Sequence, residues 1–193
     1  RYADLRSAFG NNLKAYYDHY RINGYAEGRV ATGSTELQNP TTVYNGVDYK
    51  LVYDYNYYIN KYPDIKAAFN GDENATLRHF VECGMNEGRQ GKASFNVAAY
   101  RANYADLRSA FGRNLKAYYM HYIGSGYREG RKATGNGVLK NPVTVYNGVD
   151  YSLVYDYNYY ISKYSDLKAA FYGDDTAALR HFVECGMNEG RQA

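Results

Sequence analysis

Four histidines stand at equivalent places in this chain, and two have a cysteine four residues further on: His79 with Cys83, and His181 with Cys185. On a helix that spacing puts imidazole and thiol on one face, where they can share a metal or pair as base and nucleophile. The other two, His19 and His121, have Asn23 and Ser125 in the cysteine's place. Zinc wants three or four protein ligands, and no Cys-x-x-Cys or second histidine lies nearby, so no metal is expected. The histidines are expected to pack in a core against a backbone or aspartate partner. Cys83 and Cys185 are expected to be reduced and buried as small hydrophobes. Carboxylates recur as well: Glu27, Glu87, Glu129 and Glu189 each precede Gly-Arg. A catalytic pair is one reading, but an enzyme builds one site from unlike parts, not four copies of one part. The expected arrangement is a turn with a positive-φ glycine, in which Arg29, Arg89, Arg131 and Arg191 reach the repeated Asp4, Asp64, Asp106 and Asp166. The acids of Gly71-Asp72-Glu73-Asn74 and Gly173-Asp174-Asp175-Thr176 lack the ligand spacing of a calcium hand and read as helix caps. No phosphate-cradling loop or Gly-x-Ser-x-Gly is present. No enzyme and no cofactor are expected.

Tyrosine is the unusual component. The 193 residues include 26 Tyr, 7 Phe and no Trp. A core of phenols needs many hydroxyl partners, and surplus tyrosine at the surface suits recognition: large contact area, little rotamer entropy, one polar handle. Tyr44, Tyr49, Tyr57, Tyr146, Tyr151 and Tyr159 are the candidate ligand-binding residues. Tyr57 and Tyr159 fall off the helical stripe of their neighbours and are expected at the surface. The alternative is that these rings weld hairpin to helix. Net charge is 23 − 20 = +3, which argues against a nucleic-acid binder relying on a broad basic face. No run approaches the roughly 18 apolar residues a membrane span needs.

The elements that must position these residues follow from a repeat. Residues 1–91 lie over 103–193 without a gap and differ at 22 positions, leaving 91 − 22 = 69 identical. Each copy is itself double, because Tyr2, Tyr62, Tyr104 and Tyr164 open the same motif. Repeat one (1–94) holds module A (1–31), a hairpin (40–52) and module B (53–91). Repeat two (95–193) holds module C (95–133), a hairpin (142–154) and module D (155–193). In module B, Tyr55, Tyr58, Ile59 and Tyr62 form one helical stripe after a capping Asp54, and Pro63 ends that helix. Asp64 is expected to cap a second helix with Ile65, Ala68 and Phe69 inward. Asn70-Gly71-Asp72 makes a turn, and a third helix carries Leu77, Phe80 and Val81 to a C′ stop at Gly84. Asn45-Gly46 between β-rich runs predicts a type I′ hairpin, repeated at Asn147-Gly148. Module A lacks the first helix; its counterpart would lie before Arg1, leaving a poorly capped edge. The expected fold is mainly α with small β-hairpins, a tandem repeat of three-short-helix modules in an elongated array.

The pattern Asp-x-x-Tyr-Tyr-x-x-x-Tyr-x-Asp-Leu-x-x-Ala-Phe, followed by His-Phe-x-x-x-Gly-x-x-Glu-Gly-Arg, resembles a repeat of secreted proteins of Gram-positive anaerobes. There it trails cell-wall hydrolases and large surface proteins, often with the Tyr-Asn-Gly-Val-Asp-Tyr segment found at 44–49 and 146–151. More distantly it is similar to bacterial repeats reading Phe-Asp-x-x-Tyr-Tyr-x-x-Asn-Pro-Asp-Val. The resemblance covers essentially the whole chain. It implies a secreted, cell-wall-associated accessory region and carries over no catalytic residue. Two functions fit: a module binding a cell-wall polymer or other glycan, with repetition supplying avidity, or an adhesin-like module binding a host protein such as an immunoglobulin. A passive stalk is a third.

Overall fold

The computed structural model describes residues 2–33, 36–69 and 71–193. Eleven α-helices, each of seven residues, occupy those residues: α1 (Ala3–Phe9), α2 (Leu13–His19), α3 (Tyr55–Lys61), α4 (Pro63–Phe69), α5 (Glu73–His79), α6 (Val97–Asn103), α7 (Ala105–Phe111), α8 (Leu115–His121), α9 (Tyr157–Lys163), α10 (Ser165–Phe171) and α11 (Asp175–His181). Two turns of helix are too few to persist alone in water, so packing must hold each one. Local chemistry sets their ends. Asp54, Asn96 and Asp156 open α3, α6 and α9 by accepting the backbone N–H three residues on, at 2.8, 3.0 and 2.8 Å. Asp72 and Asp174 cap α5 and α11 in the same way. Asp64 does not cap α4: it lies inside the first turn, behind Pro63 at the first helical position, where a carboxylate still faces the positive helix end. Ala68 faces solvent, leaving Ile65 and half-buried Phe69 as the inward residues of α4. The predicted turn at 70–72 includes Asn70, which lies outside the described residues.

The third helix of each module does not stop where expected. It runs straight into a five-residue π turn: Tyr20–Gly24, Phe80–Gly84, Tyr122–Gly126 and Phe182–Gly186. Gly84 therefore closes a π turn and is not a C′ stop. The positive-φ glycine comes four residues later, at Gly28, Gly88, Gly130 and Gly190, with φ of 71, 72, 69 and 68°.

Each hairpin is a ladder of two residue pairs. Strand β1 (Val43–Tyr44) meets β2 (Val47–Asp48), and β3 (Val145–Tyr146) meets β4 (Val149–Asp150), both antiparallel. The connecting Asn45 and Gly46 have φ of 48 and 77°, the left-handed pair of a type I′ turn, and Asn147 and Gly148 repeat it at 49 and 79°.

The chain divides into two compact units. One is 1–84 with 91–93; the other is 85–90 with 94–193. The first has a core of Tyr53, Tyr55, Tyr58, Ile59, Ile65, Leu77 and Phe80. The second gathers Tyr155, Tyr157, Tyr160, Ile161, Leu167, Leu179 and Phe182, with Ala102 and Leu139. Within the second unit, Tyr119 Oη donates to the Arg89 carbonyl at 2.9 Å. No helix among the described residues is long and apolar enough to cross a membrane.

Candidate functional site

Three of the four histidines, His79, His121 and His181, are bonded by tyrosine rather than by backbone or aspartate at Nδ1; His19 Nδ1 has no partner. Tyr58 Oη lies 3.2 Å from His79 Nδ1, Tyr100 Oη 2.9 Å from His121 Nδ1, and Tyr160 Oη 3.0 Å from His181 Nδ1. The tyrosine comes from the module's first helix and the histidine from the end of its third. Glycine at the close of the π turn makes room: a Cβ at Gly84 would stand 2.6 Å from Tyr58 Oη. Gly126 and Gly186 would crowd Tyr100 and Tyr160 more closely still. Burial pushes the Tyr160 phenol up to about 12, so it stays a neutral hydroxyl at physiological pH.

Cys83 and Cys185 are free and exposed, which corrects the expectation of burial. They sit inside the π turns, where Phe80, Gly84, Phe182 and Gly186 take the inward positions and leave the thiols outside. Among the described residues no group of three His, Cys, Asp or Glu side chains is placed to hold a metal.

The Glu-Gly-Arg turns are ion-paired. Arg29 Nη2 lies 2.8 Å from Asp4, Arg131 Nη1 2.8 Å from Asp106, and Arg191 Nη1 2.9 Å from Asp166. Each arginine also meets the glutamate two residues before it, at 2.5 Å, and covers the ring of Tyr2, Tyr104 or Tyr164. Arg89 pairs with Glu87 at 2.5 Å. The Arg29 guanidinium holds the Asp4 carboxyl below its ordinary range. With both kinds of carboxylate bonded to arginine, the motif works as a clasp across the module.

The six candidate tyrosines separate. Tyr49 is only 4% exposed and belongs to the core, so it offers no open face. Tyr44 and Tyr146 are half-buried, and their hydroxyls donate to Glu82 and Glu184. Tyr151 is half-buried against the second core. Tyr57 is half-buried, and Tyr159 is 45% exposed. These last two share one arrangement: Lys61 Nζ donates to Tyr57 Oη at 3.0 Å, and Lys163 Nζ to Tyr159 Oη at 2.7 Å. The same ammonium groups lie over the rings, 5.3 and 5.0 Å from the centroids. Gln192 reaches the Tyr159–Lys163 pair with its amide oxygen. An aromatic ring edged by an ammonium and an amide can meet a polyhydroxylated ligand through stacking and hydrogen bonds together.

Two features carry no sequence expectation. Tyr17 and Tyr25 are each 77% exposed. In the second unit, Arg101 is buried beside a cavity of about 330 Å³ lined also by Val97, Leu115, Leu139 and Tyr172. Its Nε and Nη2 have no partner. The repeat offered a signal for Arg101: Ile59 and Ile161 fill the same place in modules B and D, and both are buried. No protein-family model, curated protein or solved structure matches this chain.

Proposed function

We propose that this chain is a non-catalytic, secreted surface module that binds a cell-wall polymer or related glycan through tyrosine-bearing surfaces repeated along a tandem array. The observation that carries this reading is the Tyr159–Lys163–Gln192 surface, with Tyr57–Lys61 as its counterpart in the first unit. Ring, ammonium and amide together supply a stacking face and donors and acceptors for sugar hydroxyls. The ammonium also favours polymers that carry phosphate or carboxylate. Shallow surfaces bind weakly one at a time, and repetition raises the avidity. The clasped Glu-Gly-Arg carboxylates and the tyrosine-bonded histidines support a structural rather than catalytic use of the titratable groups.

The test is co-sedimentation of the chain with isolated Gram-positive wall sacculi, before and after stripping of teichoic polymers. Saturable binding is expected. The double change Tyr57→Ala, Tyr159→Ala should weaken it at least tenfold while shifting stability by under about 1 kcal/mol, as for half-exposed residues outside the core. Binding that is absent at micromolar protein, or untouched by the double change, overturns the proposal.

A further inference from the structure

Modules B and D fill one place in their first helices with a buried tyrosine and a buried isoleucine, Tyr55 with Ile59 and Tyr157 with Ile161. Module C has Val97 and Arg101 there, a shorter side chain and a cation one turn apart on α6. Beside them, within the second unit, lies the cavity of about 330 Å³, whose walls include Val97, Leu115, Leu139, Tyr172 and Arg101. Arg101 is 9% exposed, and its Nε and Nη2 have no partner. Those two nitrogens form one edge of the guanidinium, the edge that presents two parallel N–H groups to a carboxylate. The guanidinium lies against Gly173, where a Cβ would stand 2.8 Å from Cζ and from Nη1. Glycine at that position, with φ of 80°, leaves the room it needs. Glu87 also lines the cavity, but its carboxylate is paired with Arg89 at 2.5 Å. A buried cation with two unfilled donors carries a cost that a bound anion would remove.

We propose that this cavity binds a small monocarboxylate with an apolar body. Its two oxygens accept from Arg101 Nε and Nη2, and its hydrocarbon part lies against Val97, Leu115 and Leu139. The carboxylate matches the free edge in charge, in planarity and in its number of acceptors. The apolar walls set the rest of the ligand: a bare inorganic anion would satisfy the arginine but bury no hydrocarbon, whereas an alkyl carboxylate does both. Modules B and D, with isoleucine in place of the arginine, offer no such donor. The site is separate from the tyrosine–lysine surface and does not rest on the glycan reading.

The probe is sodium hexanoate, titrated into the full chain and followed by calorimetry and by the Arg101 Nε–H resonance. Saturable 1:1 binding at roughly millimolar concentration is expected for so small a ligand, with a shift of that resonance. Hexanol, which lacks the charge, and inorganic phosphate, which lacks the hydrocarbon, should each bind about tenfold more weakly or worse. Arg101→Ile places in module C the residue that modules B and D carry, so the chain should fold, and hexanoate should weaken about tenfold or more. Val97→Tyr restores the tyrosine of modules B and D and should block binding with the arginine intact. The double change Tyr57→Ala, Tyr159→Ala should leave hexanoate binding unaltered, which keeps this test apart from that of the glycan surface. No saturable binding at about 10 mM hexanoate, equal binding of hexanol or phosphate, or undiminished binding by the folded Arg101→Ile chain overturns the proposal.

Discussion

Arg6 and Arg108 occupy one position in two copies of the same sequence, yet their surroundings differ. Arg108 bonds Asp175 at 3.1 Å and the carbonyls of Arg101, Ala102, Lys140 and Asn141, with both charged side chains 2% exposed. Arg6 bonds Glu73 at 2.7 Å and the carbonyls of Gln38 and Asn39, but its Nη1 is left without a partner. His19 and His121 differ in the same way, as do exposed Tyr17 and buried Tyr119. One difference runs through all three contrasts: α6 lies ahead of α7, whereas no helix lies ahead of α1 among the described residues. Helices this short cannot satisfy or cover themselves, so each module depends on the element before it. In the second unit the motif that begins at Tyr104 is bonded and covered by the helix ahead of it, through Tyr100, Arg101 and Ala102.

Removing the arginine tests the contrast most strongly. Arg108→Met leaves the buried Asp175 carboxylate with only the Val143 N–H and removes a donor from four carbonyls, and should cost roughly 3–5 kcal/mol, the range for breaking a buried pair. Arg6→Met should cost roughly half of that, since its pair is more open at 8% and 12% exposure and fewer groups depend on it. Urea unfolding of the full chain checks this, and equal losses would break the comparison. The next effect is aromatic. Tyr119→Ala empties a fully buried site and loses the bond to Arg89, so it should cost about 3 kcal/mol or more. Tyr17→Ala removes a ring that lies mostly in water and should fall within about 0.5 kcal/mol.

Much of this fold was legible because it rests on local chemistry. Asp54, Asn45-Gly46 and the Tyr55–Tyr58–Ile59 stripe act within a few residues of themselves, and pattern reading finds them. What escaped is set by contacts between distant segments. Gly84 resembles a helix stop, but it closes a π turn, and a Cβ there would strike the Tyr58 hydroxyl, 26 residues earlier in the chain. The outward cysteines follow from the π turn in their turn. Asp175 and Glu73 read as cap residues, whereas each is the partner of an arginine 67 residues away. Among the candidate tyrosines, the off-stripe argument separates Tyr159 from Tyr160 correctly, since Tyr159 is exposed and Tyr160 buried. It says nothing about Tyr49, which is buried yet lies in the irregular chain just after β2, where no periodicity applies.

The smallest effect tests the link between glycine and tyrosine. A Cβ at Gly24 would meet the His19 imidazole and the Tyr20 ring at 3.2 Å and the His19 carbonyl at 3.5 Å, whereas one at Gly126 would run into the Tyr100 hydroxyl. Gly24→Ala should therefore be near neutral, because alanine's better helix propensity, up to about 1 kcal/mol, offsets the tight contact. Gly126→Ala should destabilise. Tyr100→Phe should itself cost about 1–2 kcal/mol, because it leaves His121 Nδ1 in the state His19 already occupies. With the hydroxyl gone, the added methyl has less to strike, so the double variant should lose less than the sum of the two single changes. A coupling of about 1 kcal/mol is the expected size for groups in contact. Strict additivity would mean that the π turn keeps its glycine for some reason other than the approaching tyrosine.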